Sequence, residues 1–197
     1  MNKEKAISIV KPFLTEERFA HTLRVTDEAE KLAKAYNEDV HAISLAAIFH
    51  DYAKYRPLEE MKRIIHQSYL PKDLLMFHHE LWHGPVASIL VEQEYGIVDK
   101  QIKQAIRYHT TGKQHMSNFE MIIFIADYIE PARDFPGVDN VRKAAEKSLE
   151  LATQKSLQQT IQFLSTKNRE IYPDTFQAYN DYTKKINGGF DKWKKKN

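Results

Sequence analysis

The run Asp39-Val40-His41-Ala42-Ile43-Ser44-Leu45-Ala46-Ala47-Ile48-Phe49-His50-Asp51-Tyr52-Ala53-Lys54 decides the fold. Asp39 has the acceptor side chain of an N-cap, and the apolar residues behind it are too many and too evenly spread for a helix lying on the surface. A central, buried helix is expected, ending near Arg56-Pro57 because the residue before a proline avoids the right-handed helical region. His50 and Asp51 directly follow Ile48-Phe49. Two polar groups at the end of so apolar a helix cost about 1–3 kcal/mol or more each if unpaired, so something must compensate them. A neutral His50 bonded to Asp51 or to a main-chain carbonyl is one answer; a bound cation is another.

Outward from this run, apolar residues recur at three- and four-residue spacings, Gly (6) and Pro (7) are few, and strand-like alternation is almost absent, so the fold class is all-α. Helices are expected over Lys3 to Leu14, from the Thr15 cap through Tyr36, over Leu58 to Gln67, and over Pro71 to His79. Further helices should run from Gly84-Pro85 to Tyr95 with Gly96 as the stop, over Asp99 to His109, and from Ser117 or Asn118 to Ile129. Val138 to Ser165, with a break, and Thr175 to Ile186 complete the set, and the chain is expected to fray at Gly188-Gly189. The length of 197 residues suits one core, so 1–197 is read as a single domain ending in a basic tail, 187–197.

Composition excludes several function classes. A formal net charge of +2 supplies no general drive toward nucleic acid or an anionic membrane, and the Lys192-Trp193-Lys194-Lys195-Lys196 run reads as a solvated end. The absence of cysteine removes disulfide scaffolds, thiolate nucleophiles, zinc ribbons and iron–sulfur clusters, leaving His, Asp and Glu as metal ligands. The longest apolar stretch, Met121 to Ala126, is far short of the roughly 20 residues of a membrane span. The N-terminus lacks a signal-peptide core, so a cytoplasmic location is expected.

Asp127 stands at the end of the apolar run Phe119 to Ala126, and His21 lies between Phe19 and Leu23. Three separate helices thus bring an imidazole, an imidazole–carboxylate pair and a carboxylate into one small core, and a divalent cation is the economical way to neutralise them. This His21…His50-Asp51…Asp127 pattern resembles the HD-domain superfamily of metal-dependent phosphohydrolases. Five ordered blocks, Arg18 to Val25, Ile48 to Lys54, His83 to Ala87, His109 to Gly112 and Asp127 to Val138, are similar to the YqeK family of symmetrical bis(5′-nucleosyl)-tetraphosphatases.

The resemblance implies a helical HD-domain fold with a phosphohydrolase core over 18–138 and additional C-terminal helices over 139–186. It implies cleavage of diadenosine tetraphosphate into two ADP through a hydroxide held between two metals. His21, His50, Asp51 and Asp127 would bind the first metal, and His83, His109 and the bridging Asp51 the second. An iron pair is implied, and the all-N/O donor set also suits Mn, Co or Zn.

Such a mechanism needs no protein nucleophile, but the substrate's charge calls for positioned cations. Lys54, at a helical spacing from His50 and Asp51, is the first choice for phosphate contact; Arg133 and Arg24 follow, with the Thr110 hydroxyl and the Thr111-Gly112 backbone completing a cradle. Asp51, Lys54 and Arg133 are the expected catalytic residues. His41, His66, His78, His79 and His115 match no ligand position and are expected on the surface or in grooves. The competing readings are an HD phosphohydrolase for a nucleoside monophosphate, a deoxynucleoside triphosphate or a guanosine polyphosphate, and a non-catalytic metal- or nucleotide-binding module. The C-terminal third reads either as a homodimer surface or as a cover for the core.

Overall fold

Asn2 accepts from the Lys5 N–H and opens α1 (Lys3–Val10) in the structure, a computed structural model that describes residues 1–188. The helix stops short of the expected Leu14 because Pro12 has no N–H to donate, and Lys11–Phe13 tightens into a 3-10 turn. Thr15 caps α2 (Glu16–Ala35) by accepting from the Arg18 N–H, and Glu16 and Glu17 in its first turn complement the helix dipole. Asp39 accepts from the His41 and Ala42 N–H groups and opens α3 (Val40–Phe49), buried from Ile43 to Phe49. This helix packs against α1 and α2 and against two later helices, which gives it the central place its composition demands.

The end of α3 corrects the expectation of a helix running to Arg56-Pro57. The carbonyl of Ala47, which a continuing ladder would offer to Asp51, accepts the ring N–H of His50 at 2.6 Å. Beyond Phe49 the chain turns more tightly, with Tyr52 N bonded to Phe49 O, Lys54 N to Asp51 O and Arg56 N to Ala53 O. His50 and Asp51 are therefore presented by a turn at the helix end.

α4 (Leu58–Gln67) forms as expected, but Pro71 to His79 is not a helix. Two 3-10 turns, Lys72–Met76 and His79–Leu81, flank an extended Phe77 and His78. Trp82 Nε1 donates to Leu74 O at 2.9 Å, and the Lys72 ammonium donates to the Ile65 and Ser68 carbonyls, so side chains take over what a helical ladder would have held. α5 (His83–Tyr95) begins just before Gly84-Pro85 and ends on a left-handed Gly96 with φ 67°. α6 (Lys100–Tyr108) is capped by Asp99, and α7 (Asn118–Ile129) by a reciprocal Ser117–Glu120 capping box.

The expected break in the C-terminal region falls between α8 (Val138–Ala145) and α9 (Leu149–Thr166). α9 covers α7, and α10 (Pro173–Ile186) packs on α9, with Tyr182 donating to Met116 O at 3.3 Å. The chain from Gly189 onward, with the expected basic tail, lies outside the described residues. Among the described residues there is no strand, and no helix is long and apolar enough to cross a membrane.

One contact from α8 positions the site. The Arg142 guanidinium donates to three carbonyls, Ile129 at 3.0 Å, Glu130 at 3.0 Å and Arg133 at 2.8 Å, and so pins the strap between α7 and α8. Bonds from a charged donor contribute about 1.5–3 kcal/mol, so Arg142→Met is expected to cost roughly 2–3 kcal/mol. Calorimetry should then read a melting temperature lowered by about 5–10 °C. An unchanged melting temperature would mean that the strap holds itself.

Candidate metal centre

Four histidines from different segments point the same ring atom at one carboxylate. His50 Nδ1 donates to Ala47 O at 2.6 Å, His83 Nδ1 to Glu80 O at 2.7 Å, and His109 Nδ1 to Ile106 O at 2.8 Å. A main-chain carbonyl can only accept, so each ring carries a proton on Nδ1 and turns Nε2 inward, the atom that presents a lone pair when the ring is neutral. His21, in the middle of α2, is oriented by a carboxylate instead, with Nδ1 3.1 Å from Glu130 Oε1.

Asp51, only 2% exposed, divides its two oxygens between two groups of imidazoles. Oδ1 lies 3.1 Å from His83 Nε2 and 3.9 Å from His109 Nε2. Oδ2 lies 3.2 Å from His50 Nε2 and 3.8 Å from His21 Nε2. Asp127 joins the second group, its Oδ1 3.1 Å from His21 Nε2. The ligand atoms of His21, His50 and Asp127 lie within 4.8 Å of one another, as do those of His50, Asp51 and His109.

This is a concentration of acceptors. His83 Nε2 and His109 Nε2 stand 3.0 Å apart with both ring protons spent elsewhere, and the buried Nε2 atoms of His21 and His50 have no hydrogen-bond partner. Buried lone pairs facing one another are costly unless a cation sits among them, and nitrogen with carboxylate oxygen is a donor set for borderline divalent metals. The residues present fit a metal centre.

The electrostatics show the same demand for positive charge at the centre: burial would lower the His50 imidazole, but Asp51 raises it against that cost, and a metal ion there would supply that charge in place of the ring proton. Burial would raise the Asp51 carboxyl, but the imidazoles of His50 and His83 outweigh it and hold Asp51 well below the usual carboxylate range. Asp127 is likewise held low against the cost of burial, chiefly by its contact with His21. Burial, with His50 and His83 beside it, pushes the His109 imidazole down to about 3, so it is a neutral imidazole rather than a cation at a helix end. Gly84 makes this packing possible: a Cβ there would sit 3.0 Å from Ile106 O and 3.1 Å from the His109 ring.

The other expected site residues line the surroundings. Lys54 extends to Glu80, Nζ to Oε2 2.5 Å, and so braces the segment whose carbonyl orients His83. Arg133 donates to Asp127 Oδ1 at 2.8 Å and to its carbonyl at 3.1 Å. Arg24 Nε donates to Glu130 Oε2 at 2.6 Å, and Thr110 Oγ1 lies 3.0 Å from His109 Nε2. His41, His66, His78, His79 and His115 are all exposed.

Two residues of the site escape the sequence reading. Arg18 Nη1 donates to Asp51 Oδ2 at 3.1 Å, and its position one turn before His21 is a signal that helical spacing could have supplied. Glu130 reads in the sequence as the close of α7, and no local signal marks it as the partner of both His21 and Arg24.

The HD domain family model matches residues 18–132 of this chain. The symmetrical bis(5′-nucleosyl)-tetraphosphatase of Bacillus subtilis (strain 168) is 50% identical over 180 residues, which are 91% of this chain and 97% of that protein. The protein of the same description from Staphylococcus aureus (strain NCTC 8325 / PS 47) is 44% identical over 184 residues, 92% of this chain and 95% of that one. Among solved structures, an HD superfamily hydrolase from Clostridium acetobutylicum, described as involved in NAD metabolism, superimposes with a TM-score of 0.89 at 38% identity. That match covers 94% of this chain and 98% of the other. With the acceptor cluster around Asp51 and a match of near full length to these relatives, the chain belongs to the HD-domain family, in the branch that holds the symmetrical bis(5′-nucleosyl)-tetraphosphatases.

Proposed function

We propose that the chain is a metal-dependent hydrolase that cuts diadenosine tetraphosphate at its central anhydride into two ADP. The observation that carries this reading is Asp51, one buried carboxylate whose two oxygens face two different groups of imidazoles. We assign His21, His50, Asp51 and Asp127 to one divalent cation and His83, His109 and Asp51 to another. An iron pair is our choice of metal, and Mn, Co or Zn would be accepted by the same donors. Cations held there supply an activated water at neutral pH and offset the charge that grows on the central phosphates.

The protein's own groups orient and hold. Glu130 and the three carbonyls fix the ring tautomers, so the Nε2 atoms keep their direction whatever occupies the centre. Arg24 and Arg133 offer their remaining N–H donors to nonbridging phosphate oxygens, and Thr110 adds a hydroxyl beside His109. Lys54 meets the phosphates from the His83 side by exchanging Glu80 for substrate. A water adds across the central P–O–P link and each half leaves as a nucleoside diphosphate, with no covalent bond to the chain. We place the enzyme in the cytoplasm, acting on a small molecule without a nucleic-acid or membrane partner.

Chromatography of the products tests the reading. ADP alone, from protein carrying two metals per chain, supports it; AMP with ATP, or no turnover with Fe, Mn or Co supplied, overturns it. Lys54→Ala is expected to lower kcat/KM by about ten-fold, the worth of one charge-assisted bond, with metal content near that of the parent protein. Loss of metal in that variant would make Lys54 a structural brace for the His83 segment.

A further inference from the structure

We infer that Tyr52 is a positioning residue for the second cation: its hydroxyl bonds to the last turn of α5 and so fixes the helix whose first residue is His83. The inference rests on the two-cation reading proposed above and adds a residue that is a ligand of neither metal.

Asp51 and Tyr52 are neighbours in the turn beyond α3, and their side chains reach opposite ends of α5. Asp51 Oδ1 lies 3.1 Å from His83 Nε2 at the start of the helix. The Tyr52 hydroxyl donates to Glu94 Oε2 at 2.5 Å and lies 2.8 Å from the Tyr95 hydroxyl, both in the last turn. At the rise of an α-helix, His83 and Glu94 stand about 16 Å apart along the axis. A helix held at one point can swing about it, whereas one held at two distant points can neither slide nor turn. The His83 ring depends on that second hold. Its bond to Glu80 O comes from its own segment and sets the ring proton, but how far Nε2 stands from Asp51 is decided by where α5 lies. His21 and Asp127 belong to α2 and α7, and His50 is fixed by its own bond to Ala47 O, so the other cation's ligands do not share this dependence.

The bonding around the hydroxyl is complete. Its one hydrogen goes to the Glu94 carboxylate, so its oxygen accepts from Arg56, Nη2 at 2.7 Å, and from the Tyr95 hydroxyl. Arg56 in turn donates to Glu94 at 3.2 Å and to Glu60 on α4 at 3.3 Å. Its guanidinium lies 4.8 Å from the centre of the Phe13 ring and 5.1 Å from that of Tyr52, so the turn, α4, α5 and the N-terminal segment meet at this one phenol. Tyr52 is only 1% exposed, and a bond lost there leaves a buried group unpaired. Packing alone would be served by phenylalanine; the hydroxyl is the part that joins the turn carrying Asp51 to the helix carrying His83.

The test is chelator competition on the full chain loaded with manganese, with elemental analysis of the metal retained. Tyr52→Phe should release one manganese per chain at about ten-fold lower chelator concentration than the parent, equivalent to about 1.4 kcal/mol, and the other within about two-fold of it. In a His83→Ala background, where the affected group is already broken, Tyr52→Phe should change nothing further. Glu94→Ala should repeat the loss, and both changes together should do no more than either alone, because they remove one bond. Tyr182→Phe removes a different buried hydroxyl bond, to Met116 O, and controls for lost stability; it should release both metals as the parent does. Equal weakening of both cations in Tyr52→Phe, or of neither, overturns the inference. Hydrogen exchange of the metal-free chain keeps the two readings apart: amides of α5 should exchange faster in Tyr52→Phe and those of α7 should not. Faster α5 exchange in a chain whose parent holds fewer than two metals leaves Tyr52 as the group that places α5 and removes the two-cation reading. Two metals per parent chain with α5 exchange unchanged does the reverse.

Discussion

Replacing Asp51 with asparagine is expected to lower kcat/KM for diadenosine tetraphosphate by about 10³–10⁴-fold, the loss of roughly 4–6 kcal/mol of transition-state stabilisation, and to leave the purified protein with well under one metal per chain. The amide keeps the volume and one acceptor, but its NH₂ must replace either the oxygen that faces His83 and His109 or the one that faces His50 and His21. Whichever way it turns, a donor meets one group of imidazoles whose ring protons are already committed to carbonyls or to Glu130. The single negative charge shared by both groups also disappears, and Arg18 loses the partner that fixes its plane. Because asparagine is isosteric, the packing around α3 should survive, so far-UV circular dichroism should match the parent while elemental analysis shows the loss. A variant that kept two metals per chain would overturn the assignment of Asp51 to both cations.

How far such a centre can be read from sequence depends on the range of the force that builds it. α3 is legible because burial is written into consecutive residues from Ile43 to Phe49, and the caps at Thr15, Asp39, Asp99 and Ser117 are legible because capping is local. The end of α3 is not. It is decided by competition for one carbonyl, and a propensity argument does not see the His50 ring take the Ala47 oxygen. Pro71 to His79 fails for a similar reason, with the Trp82 indole and the Lys72 ammonium substituting for backbone partners. In the site, His50-Asp51, His21 and Asp127 stand out as polar residues set in apolar helices. His83 and His109 enter only through the family resemblance, since each alone could be a helix-end residue. Glu130 and Arg142 act on the centre across folds of the chain, from positions where nothing nearby marks them, and a contact spanning 109 residues leaves no periodicity to read.

The second large effect belongs to Glu130. Glu130→Gln is expected to lower stability at pH 7 by about 3 kcal/mol, in the range for breaking one partner out of a buried ion pair, and to reduce activity by roughly 10–100-fold. The carboxylate is 2% exposed and accepts from Arg24 at 2.6 Å, from the Ala132 N–H at 2.8 Å and from His21 at 3.1 Å. Burial would raise its pKa, but these three partners bring it down to about 2. A carboxyl depressed from an ordinary value of about 4.3 stabilises the fold fully above that value and loses its contribution as the pH falls toward 2. The difference, about two units at 1.36 kcal/mol each, is again about 3 kcal/mol. Urea denaturation at pH 7, 5 and 3 should therefore show a gap between parent and variant that is constant down to pH 5 and narrows at pH 3. A gap that did not narrow would assign the loss to packing rather than charge. Metal content separates this variant from Asp51→Asn. Glu130 orients His21 alone among the four imidazoles, so the group formed by His21, His50 and Asp127 should lose affinity while the His83 and His109 group keeps it. Glu130→Gln protein should then retain about one metal per chain, where the Asp51 variant holds on to neither.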